Sequence, residues 1–446
     1  MLKKFMLLLI PCALFASDSK YSQTAPPRHR EMSEYYITGR NQKVDRIWDW
    51  KYMTGDWYGR REEMAKKGIT VTSMYVSNVA GNPFGGREQG ATQTGSWGSD
   101  MRIDFGKIAS ADGLKFYIQA VWRGGNSLSL EKINNQFSVQ QVYGGQNFKI
   151  CNLYFQYATW HDRFLIRAGR LCYGDTFLAS KFYGRYMNNV FDGNPISTFF
   201  NTPGQTAYPN ATWAAYTRIR PIKRFQIQLG AYNANPKNNA NKYHGLNFSF
   251  NNALGALLAG DLSFMLNHEK EESGYPGKYT IGGYWTSKES NTFLHSGSKH
   301  NYMWYFTFDQ MIYRSGEAWS DQGLSLWGAC LFAPRTIATF PFFFSSGLSY
   351  KGVIPWRKED KLSFAVAYGS YSSDLKRSQE IARDTGQPGL NGNQPQTYET
   401  DIELNYWAQI NQWFYVMPNV MYIINPKGFG IYDNAMVIGA QVGFTF

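Results

Sequence analysis

The sequence predicts an all-β protein: a transmembrane antiparallel β-barrel of about sixteen strands, preceded by a short N-terminal helix. Three observations predict this fold class. They are strand-length runs of alternating side chains, a high aromatic content, and an N-terminus built like a secretion signal. A strand about ten residues long, apolar on one face and polar on the other, can cross a thin bilayer with lipid outside and water inside.

The last fifty residues show the alternation most clearly. Because side chains of a strand point to opposite faces in turn, one face of 398–408 is mainly apolar, with Tyr398, Ile402, Leu404, Tyr406 and Ala408. The other face carries Glu399, Asp401, Glu403, Asn405 and Trp407. The closing segment repeats the pattern, with an apolar face formed by Ile438, Ala440, Val442, Phe444 and Phe446.

Composition bounds the class of protein. The chain has 446 residues, of which 17% are aromatic and 43 are Gly. Its mean hydropathy of -0.42 and the lack of a long apolar run exclude a helical membrane protein. Composition alone also allows a secreted propeller or sandwich. The absence of a sequence repeat with a fixed period argues against the propeller.

The N-terminus predicts export. Lys3 and Lys4 precede an apolar run that ends at Phe15, and Ala16 offers a small residue for cleavage, so we interpret 1–16 as a signal peptide. An alternative interpretation takes Cys12 as a lipoprotein cysteine, although the preceding Pro fits that poorly. Residues 17–54 form a polar leader under either interpretation.

A short helix precedes the barrel. Within 55–68, the run from Arg60 to Lys67 predicts two helical turns that end at Gly68, and we place this segment in the periplasm. Its charges are typical of a solvated helix face. The period then changes to two, so the barrel is predicted to span 69–446, starting at Ile69.

Alternating runs separated by turns recur along this region. They include 101–105, 116–123, 153–157, 213–220, 225–232 and 362–368, and their spacing predicts roughly sixteen strands. Longer, polar stretches at 178–210, 267–300 and 374–397 are predicted to be extracellular loops, and 178–210 is the candidate for the loop that narrows the channel.

Charge and cysteine content exclude other classes. The formal charge is +12, but no run of five basic residues and no RNA-binding motif occurs, so nucleic acid is not a predicted partner. On a barrel, this charge is expected to line a pore or meet lipid head groups. Cys151, Cys172 and Cys330 have no CxxC spacing and predict neither a disulfide framework nor a metal site; they are interpreted as small strand residues or one incidental bridge.

Several blocks, in their order along the chain, resemble the carbohydrate-selective porins of the OprB type. They are Gly55-Asp56-Trp57-Tyr58-Gly59-Arg60, 79–86, 123–129, 142–145, 168–171, 230–233 and 418–426, followed by Val437-Ile438-Gly439. The resemblance implies a sixteen-stranded porin in the outer membrane of a Gram-negative-type bacterium, which passes small sugars by diffusion without a cofactor. Gln141 stands where the family pattern has an acidic residue, so sugar preference does not follow from the resemblance.

A sugar path needs charged hydrogen-bonding groups and some aromatic surface. On the predicted lumenal face we single out basic, acidic and aromatic residues: Arg102, Arg123, Arg167, Arg218, Arg220, Asp104, Glu399, Asp401, Glu403, Tyr117, Tyr154 and Trp407. Opposed Arg and carboxylate rows would create a transverse field across the opening. The alternative for each residue is that it only pairs with a neighbour and stiffens the wall.

Arg170 is a special case among the candidate pore residues. Regular alternation places Arg167 and Arg170 on opposite faces, and an Arg facing lipid costs about 2–4 kcal/mol at the midplane. We expect either a bulge at Gly169 that turns Arg170 into the pore or a strand that ends there.

The function predicted from the sequence is therefore passive sugar diffusion through an outer-membrane pore. No GxSxG, HExxH, Walker or paired-cysteine motif occurs, so no catalytic residue is assigned and no enzyme is predicted. Two alternatives stay open: a channel of the same fold for anions or phosphorylated solutes, and a barrel that acts as an adhesin or enzyme. Sugars and outer-membrane lipid are the predicted partners. The chain itself is expected to be a monomer or a homotrimer.

Overall fold

The structure is a computed structural model that describes residues 46–202, 204–249, 255–268, 272, 274–317, 319–386 and 394–446. The predicted signal peptide, 1–16, and the predicted leader up to residue 45 lie outside the described residues.

Sixteen antiparallel strands in the described part of the chain form one closed barrel, which confirms the predicted fold class. Each strand pairs with the strand before it, and the last returns to pair with the first. The strands are β1 (Ile69–Gly86), β2 (Gly90–Asp104), β3 (Leu114–Gly125), β4 (Phe148–Thr159), β5 (Phe164–Leu171), β6 (Thr212–Ile222), β7 (Phe225–Asn233), β8 (Ala256–Leu266), β9 (Gly277–Asn291), β10 (Ser298–Arg314), β11 (Gly323–Phe332), β12 (Phe342–Lys351), β13 (Lys361–Ser370), β14 (Tyr398–Gln409), β15 (Phe414–Ile424) and β16 (Asp433–Thr445).

The helices are short. They are α1 (Arg60–Lys66), α2 (Phe105–Ala109), α3 (Ser197–Asn201) and α4 (Ser373–Asp384). Among the described residues, each helix is too short or too polar to cross a bilayer. Helix α1 ends at Lys66, one residue before the predicted end, and Gly68 follows its cap with a φ of +92°; a Cβ there would lie 2.8 Å from the Asp104 carbonyl oxygen.

The two faces of the wall follow the predicted alternation. Large apolar side chains point outward, as with Ile281 (60% exposed) and Trp304 (63% exposed). On β14 the predicted polar face, with Glu399, Asp401 and Glu403, points inward and is buried. A wall with this distribution suits lipid outside and a polar interior.

The two ends of the barrel differ. At one end, here called the turn end, connections include 160–163, 223–224 and 410–413, and α1 lies at this end. At the other, the loop end, the β3–β4 loop (126–147), the β5–β6 loop (172–211), the β7–β8 loop (234–255) and the β13–β14 loop (371–397) are long. This asymmetry is typical of outer-membrane barrels.

One predicted loop is wrong. The stretch 267–300 contains the whole of β9 and the first residues of β10. In β9, Ile281 is exposed whereas Thr280 and Tyr284 are buried, so the strand does alternate. Its many Gly, Thr, Ser and Lys residues conceal that pattern in the sequence. The described residues of the predicted loop 374–397 begin with helix α4, which extends to Asp384 and was not predicted.

The barrel interior contains a packed core. Buried aromatic residues of the β5–β6 loop, including Phe177, Phe182, Tyr186 and Phe191, belong to one cluster with the inward wall residue Trp327. A loop of this length that lay in solvent outside the barrel would not bury so many aromatic rings. This loop therefore folds into the barrel and occupies part of its lumen.

Candidate functional site: the barrel interior

The β5–β6 loop reaches across the lumen to the opposite wall. It forms hydrogen bonds with inward side chains of five strands. Thr176 Oγ1 bonds with Tyr232 Oη of β7 at 3.1 Å, and the Lys181 N–H bonds with Asp309 of β10 at 3.3 Å. Tyr186 Oη bonds with Trp327 Nε1 of β11 at 2.9 Å, Arg185 Nη1 with Ser349 Oγ of β12 at 2.7 Å, and Asn188 with β14. Only a segment inside the barrel can contact all five strands. The structure thus places the predicted constriction loop within the lumen.

Two carboxylates of β14 hold this loop. Glu403 accepts hydrogen bonds from the backbone N–H groups of Met187 and Asn188, both at 2.9 Å. The Asn188 side-chain amide donates to Asp401 at 2.6 Å. These three bonds satisfy buried donors of the loop, so they fix its middle against β14.

Glu399 holds two other loops in the same way. It accepts from the backbone N–H groups of Gln136 at 2.8 Å and Phe137 at 2.7 Å, both in the β3–β4 loop. It also accepts from the Lys427 N–H, between β15 and β16. Glu399, Asp401 and Glu403 each have 0% exposure. The predicted acidic row therefore faces inward, but it is covered by loops and does not line an open path.

The opposite sector of the wall carries a continuous row of Arg and Tyr side chains. Arg102 of β2 lies opposite Tyr117 of β3, and the Tyr117 ring stacks on Tyr154 of β4 at a centroid distance of 5.0 Å. The Arg167 guanidinium of β5 lies 5.5 Å from the Tyr154 ring and 5.7 Å from the Tyr216 ring of β6. We call these five residues the Arg–Tyr track.

Burial differs along the track. Tyr154 and Tyr216 are buried, whereas Arg102, Tyr117 and Arg167 keep part of their surface accessible. A guanidinium held against aromatic faces is oriented by cation–π attraction. The track therefore presents fixed donors and an accessible aromatic ring to the remaining lumen.

Two further predicted arginines lie beside the track, toward the turn end. Arg218 is buried and donates from Nη2 to the Asp162 carbonyl oxygen at 3.1 Å. Arg220 stays partly exposed and donates from Nε to Gln226 Oε1 at 2.9 Å. The structure thus brings Arg102, Arg167, Arg218 and Arg220 to one side of the barrel.

Arg123 supports a loop. Its guanidinium is buried and donates from Nη1 to the carbonyl oxygens of Gln141 at 3.3 Å and Tyr143 at 3.1 Å. It also lies 5.1 Å from the ring of Tyr208 in the β5–β6 loop. Arg123 therefore joins the β3–β4 loop and the β5–β6 loop to β3, and Gln141 contributes its backbone carbonyl to this contact.

Arg170 lies at the end of the β4–β5 ladder, one residue before β5 ends at Leu171, which is the second of the two expected arrangements. The β4–β5 register is regular through Arg170, so no bulge turns this residue inward. Its guanidinium is 1% exposed and donates to carbonyl oxygens of Ala211 at 2.7 Å, and of Asn238 and Asn247 at 3.4 Å. The β7–β8 loop covers it. Lipid exposure is thus avoided by backbone acceptors.

Asp104 and Trp407 are held in the wall. Asp104 caps α2 by accepting from the Gly106 N–H at 3.0 Å, and Lys115 Nζ lies 3.9 Å from its carboxylate. The Trp407 ring stacks on the Tyr415 ring at a centroid distance of 3.6 Å, and Lys361 Nζ lies 4.5 Å from the centroid of the Trp407 ring. These contacts fit the structural alternative considered for each residue.

Two basic residues of the inward loop, Lys181 and Arg185, were not predicted from the sequence. Burial lowers the pKa of Lys181, partly offset by Asp309, and burial lowers the pKa of the Arg185 guanidinium. The signal that could have found this segment is its run of Phe and Tyr within an otherwise polar stretch.

Among the described residues, His, Cys, Asp and Glu do not gather in groups of three that could hold a metal ion.

Comparisons with known proteins agree with this architecture. Residues 88–446 match the family model described as carbohydrate-selective porin, OprB family. Porin B of Pseudomonas aeruginosa is 27% identical over 426 residues, which cover 89% of this chain and 91% of that protein.

Solved structures show the same fold. The high-pH structure of Pseudomonas putida OprB superposes with a TM-score of 0.83 at 25% identity, covering 89% of this chain and 99% of that chain. The low-pH structure of the same protein gives a TM-score of 0.58 at 19% identity over the same shares of the two chains.

Proposed function

The chain belongs to the OprB family of carbohydrate-selective porins, and we propose that sugars cross its barrel along the Arg–Tyr track. The protein is an outer-membrane β-barrel porin of a Gram-negative bacterium, and its family members are channels rather than enzymes. Passive diffusion needs no catalytic group. It needs a hydrated path whose walls exchange hydrogen bonds with the solute.

The chemistry of the track suits a sugar. A guanidinium offers five N–H donors in a fixed plane, which match the closely spaced hydroxyl oxygens of a pyranose. The accessible ring of Tyr117 can pack against the weakly apolar C–H face of the sugar. The observation that carries this proposal is the position of Arg167 between the rings of Tyr154 and Tyr216.

The inward loop supplies the other wall of the path. Glu403 and Asp401 hold the middle of the β5–β6 loop against β14, and Phe177 near its start packs edge-on against Tyr216 of the track at a centroid distance of 5.9 Å. We propose that the constriction lies between this loop and the track. Its acidic anchors then fix the width of the opening rather than bind the solute.

The remaining segments of the chain can be assigned in the same way. We propose that residues 1–16 are removed on export, that 17–54 and the segment 55–68 lie in the periplasm, and that the long loops of the barrel 69–446 face the outside. One closed barrel encloses its own path, so a single chain suffices for transport whether or not barrels associate.

Current block in planar bilayers tests this function. With the purified porin inserted, added glucose should reduce the single-channel ion current in a saturable manner, because a bound sugar obstructs the constriction. A pore that is insensitive to glucose and other neutral sugars contradicts the proposal. A strong preference for chloride over potassium, measured from reversal potentials together with that insensitivity, would instead support an anion channel.

A further inference from the structure

We propose that Ile47 and Trp48 insert into the bilayer leaflet at the turn end and there anchor residues 46–61, which clasp the seam of the barrel. The seam is the pairing of β1 with β16, the first and last strands, which closes the barrel. We call residues 46–61 the N-terminal clasp. In the proposed orientation this leaflet is the periplasmic one, so the start of the clasp lies at the membrane surface rather than free in the periplasm.

The N-terminal clasp forms hydrogen bonds with both strands of the seam. The Met53 N–H donates to the carbonyl oxygen of Thr445, the last residue of β16, at 2.8 Å. Arg61 Nη1 donates to the carbonyl oxygen of Val71, in β1, at 3.1 Å and to that of Phe446 at 3.4 Å. Because these acceptors come from the two ends of the sheet, the clasp spans the line along which the barrel closes.

A row of four aromatic rings leads from the outer wall to the clasp. Phe414 of β15 and Phe444 of β16 are paired in register, and their outward rings stack at a centroid distance of 4.8 Å. The Trp413 ring lies 6.4 Å from the Phe444 ring, and the Trp48 ring lies 6.0 Å from the Trp413 ring. Trp413 Nε1 also donates to the Ile47 carbonyl oxygen at 2.9 Å. Packing and a hydrogen bond thus join the clasp to the lipid-facing wall.

The row is covered at Trp413 but open at its end. Trp413 is 6% exposed, whereas Trp48 is 59% and Ile47 44% exposed. Trp160 and Trp356, in the β4–β5 and β12–β13 connections of the turn end, are exposed as well. Trp is enriched at membrane interfaces because its indole combines an apolar body with a polar N–H. An exposed Ile and Trp that continue a lipid-facing row at this level therefore fit a bilayer leaflet as their partner.

Insertion strengthens the hold of the clasp on the seam. Moving the apolar surface of Ile47 and Trp48 from water into the leaflet favours the closed clasp, which in turn joins the ends of β1 and β16. This inference rests on the proposed orientation of the barrel and is independent of which solute crosses it. The proposed solute path includes neither Ile47 nor Trp48, so replacing either residue should leave transport unchanged.

Electron paramagnetic resonance of the whole exported chain in lipid nanodiscs tests insertion. A nitroxide is attached to Ile47→Cys in a Cys330→Ser background, in which the other two free cysteines are buried. The label should collide more often with dissolved oxygen than with a water-soluble nickel chelate, as a label at the lipid-facing Ile281→Cys should. A label at the exposed Glu62→Cys of α1 should show the reverse. Equal accessibility at positions 47 and 62 would overturn the proposal.

Limited proteolysis in the same nanodiscs tests the hold on the seam. Trypsin cleavage after Lys51, inside the clasp, should become about threefold to tenfold faster in Trp48→Ala, because a ring contact and an inserted side chain are lost. Trp356→Ala, which removes another exposed Trp of the turn end, should not change this rate.

An unchanged rate in Trp48→Ala, or an equal rise in both variants, would contradict the clasp. Should Trp48→Ala fail to fold, the label at position 47, which keeps Trp48, decides alone. Glucose block is measured in parallel and should equal that of the wild-type chain in both variants. Its absence from the wild-type chain would count against the proposed function and not against the clasp.

Discussion

The carboxylate of Glu403, in the middle of β14, accepts a hydrogen bond from the backbone N–H of Asn188 at 2.9 Å. This contact joins the wall to the inward loop at a position 215 residues away in the sequence. It shows that a buried carboxylate of the lumen positions the element that shares the path with the Arg–Tyr track. In the proposed path, the acidic residues that set the width of the pore are therefore not the residues that contact the solute.

Replacing Glu403 with Gln should loosen the inward loop. The amide keeps the shape of the carboxyl group, but its NH2 group is a donor where the backbone N–H groups of Met187 and Asn188 need acceptors. One buried donor is therefore left unsatisfied, so we expect a loss of about 1–3 kcal/mol in the free energy of unfolding, together with larger and noisier single-channel currents. Glu62→Gln on the exposed face of α1 is the matched control. Currents identical to wild type would show that Glu403 does not hold the loop.

Removing a track residue should weaken sugar binding without closing the channel. Arg167→Ala loses the guanidinium donors, and Tyr117→Leu loses the accessible ring. We expect the glucose concentration for half-maximal current block to rise about threefold to tenfold in each, on the scale of about 1.4 kcal/mol per tenfold change. Arg224→Ala, which removes an exposed guanidinium paired with Glu272, should leave the block unchanged. An equal rise in the glucose concentration for half-maximal block in all three variants would contradict sugar binding by the Arg–Tyr track.

Arg170→Lys should destabilise the barrel although it conserves charge. Lys has a single ammonium group and cannot reach the three carbonyl oxygens that the planar guanidinium contacts. Each buried acceptor left without a donor costs about 1–3 kcal/mol, so thermal unfolding followed by gel mobility should occur at a clearly lower temperature. Arg163→Lys, in an exposed turn, should not change it. Glucose block per inserted channel should be preserved, since Arg170 lies outside the pore.

His268, in the turn after β8, should make stability depend on pH. Burial, reinforced by nearby Lys181, Lys278 and Arg220, lowers the pKa of His268 from 6.5 to about 4. Between these values the unfolded chain binds a proton that the folded chain does not, so stability should fall as the pH decreases from 6.5 to 4. In His268→Gln this part of the pH dependence should disappear. If the free energy of unfolding changed with pH by the same amount in the two proteins across this range, that would contradict the assignment.

The strands were predictable because the bilayer and the hydrated interior impose a strict alternation on each crossing. Where side chains are distinctive, as in 398–408, the sequence indicates the strand and its faces correctly. Where Gly, Ser, Thr and Lys dominate, as in β9, the same alternation is present but chemically faint. Strand β9 was therefore missed.

The site was only partly predictable, because alternation tells which face a side chain occupies but not what covers it. Arg167 and Glu403 both point inward, yet one reaches the lumen and the other is buried under a loop. The covering contacts come from segments far away in the sequence, such as 187–188. Arg170 shows the reverse case: the sequence raised the problem of a lipid-facing charge, and three backbone carbonyl oxygens solve it.

Swelling of liposomes in isosmotic glucose tests the central claim most directly. Vesicles that contain the purified barrel, with insertion confirmed by ion conductance, should swell in glucose, and at a lower rate when they carry Arg167→Ala. Conducting vesicles that do not swell in glucose or in any other neutral sugar would contradict the account.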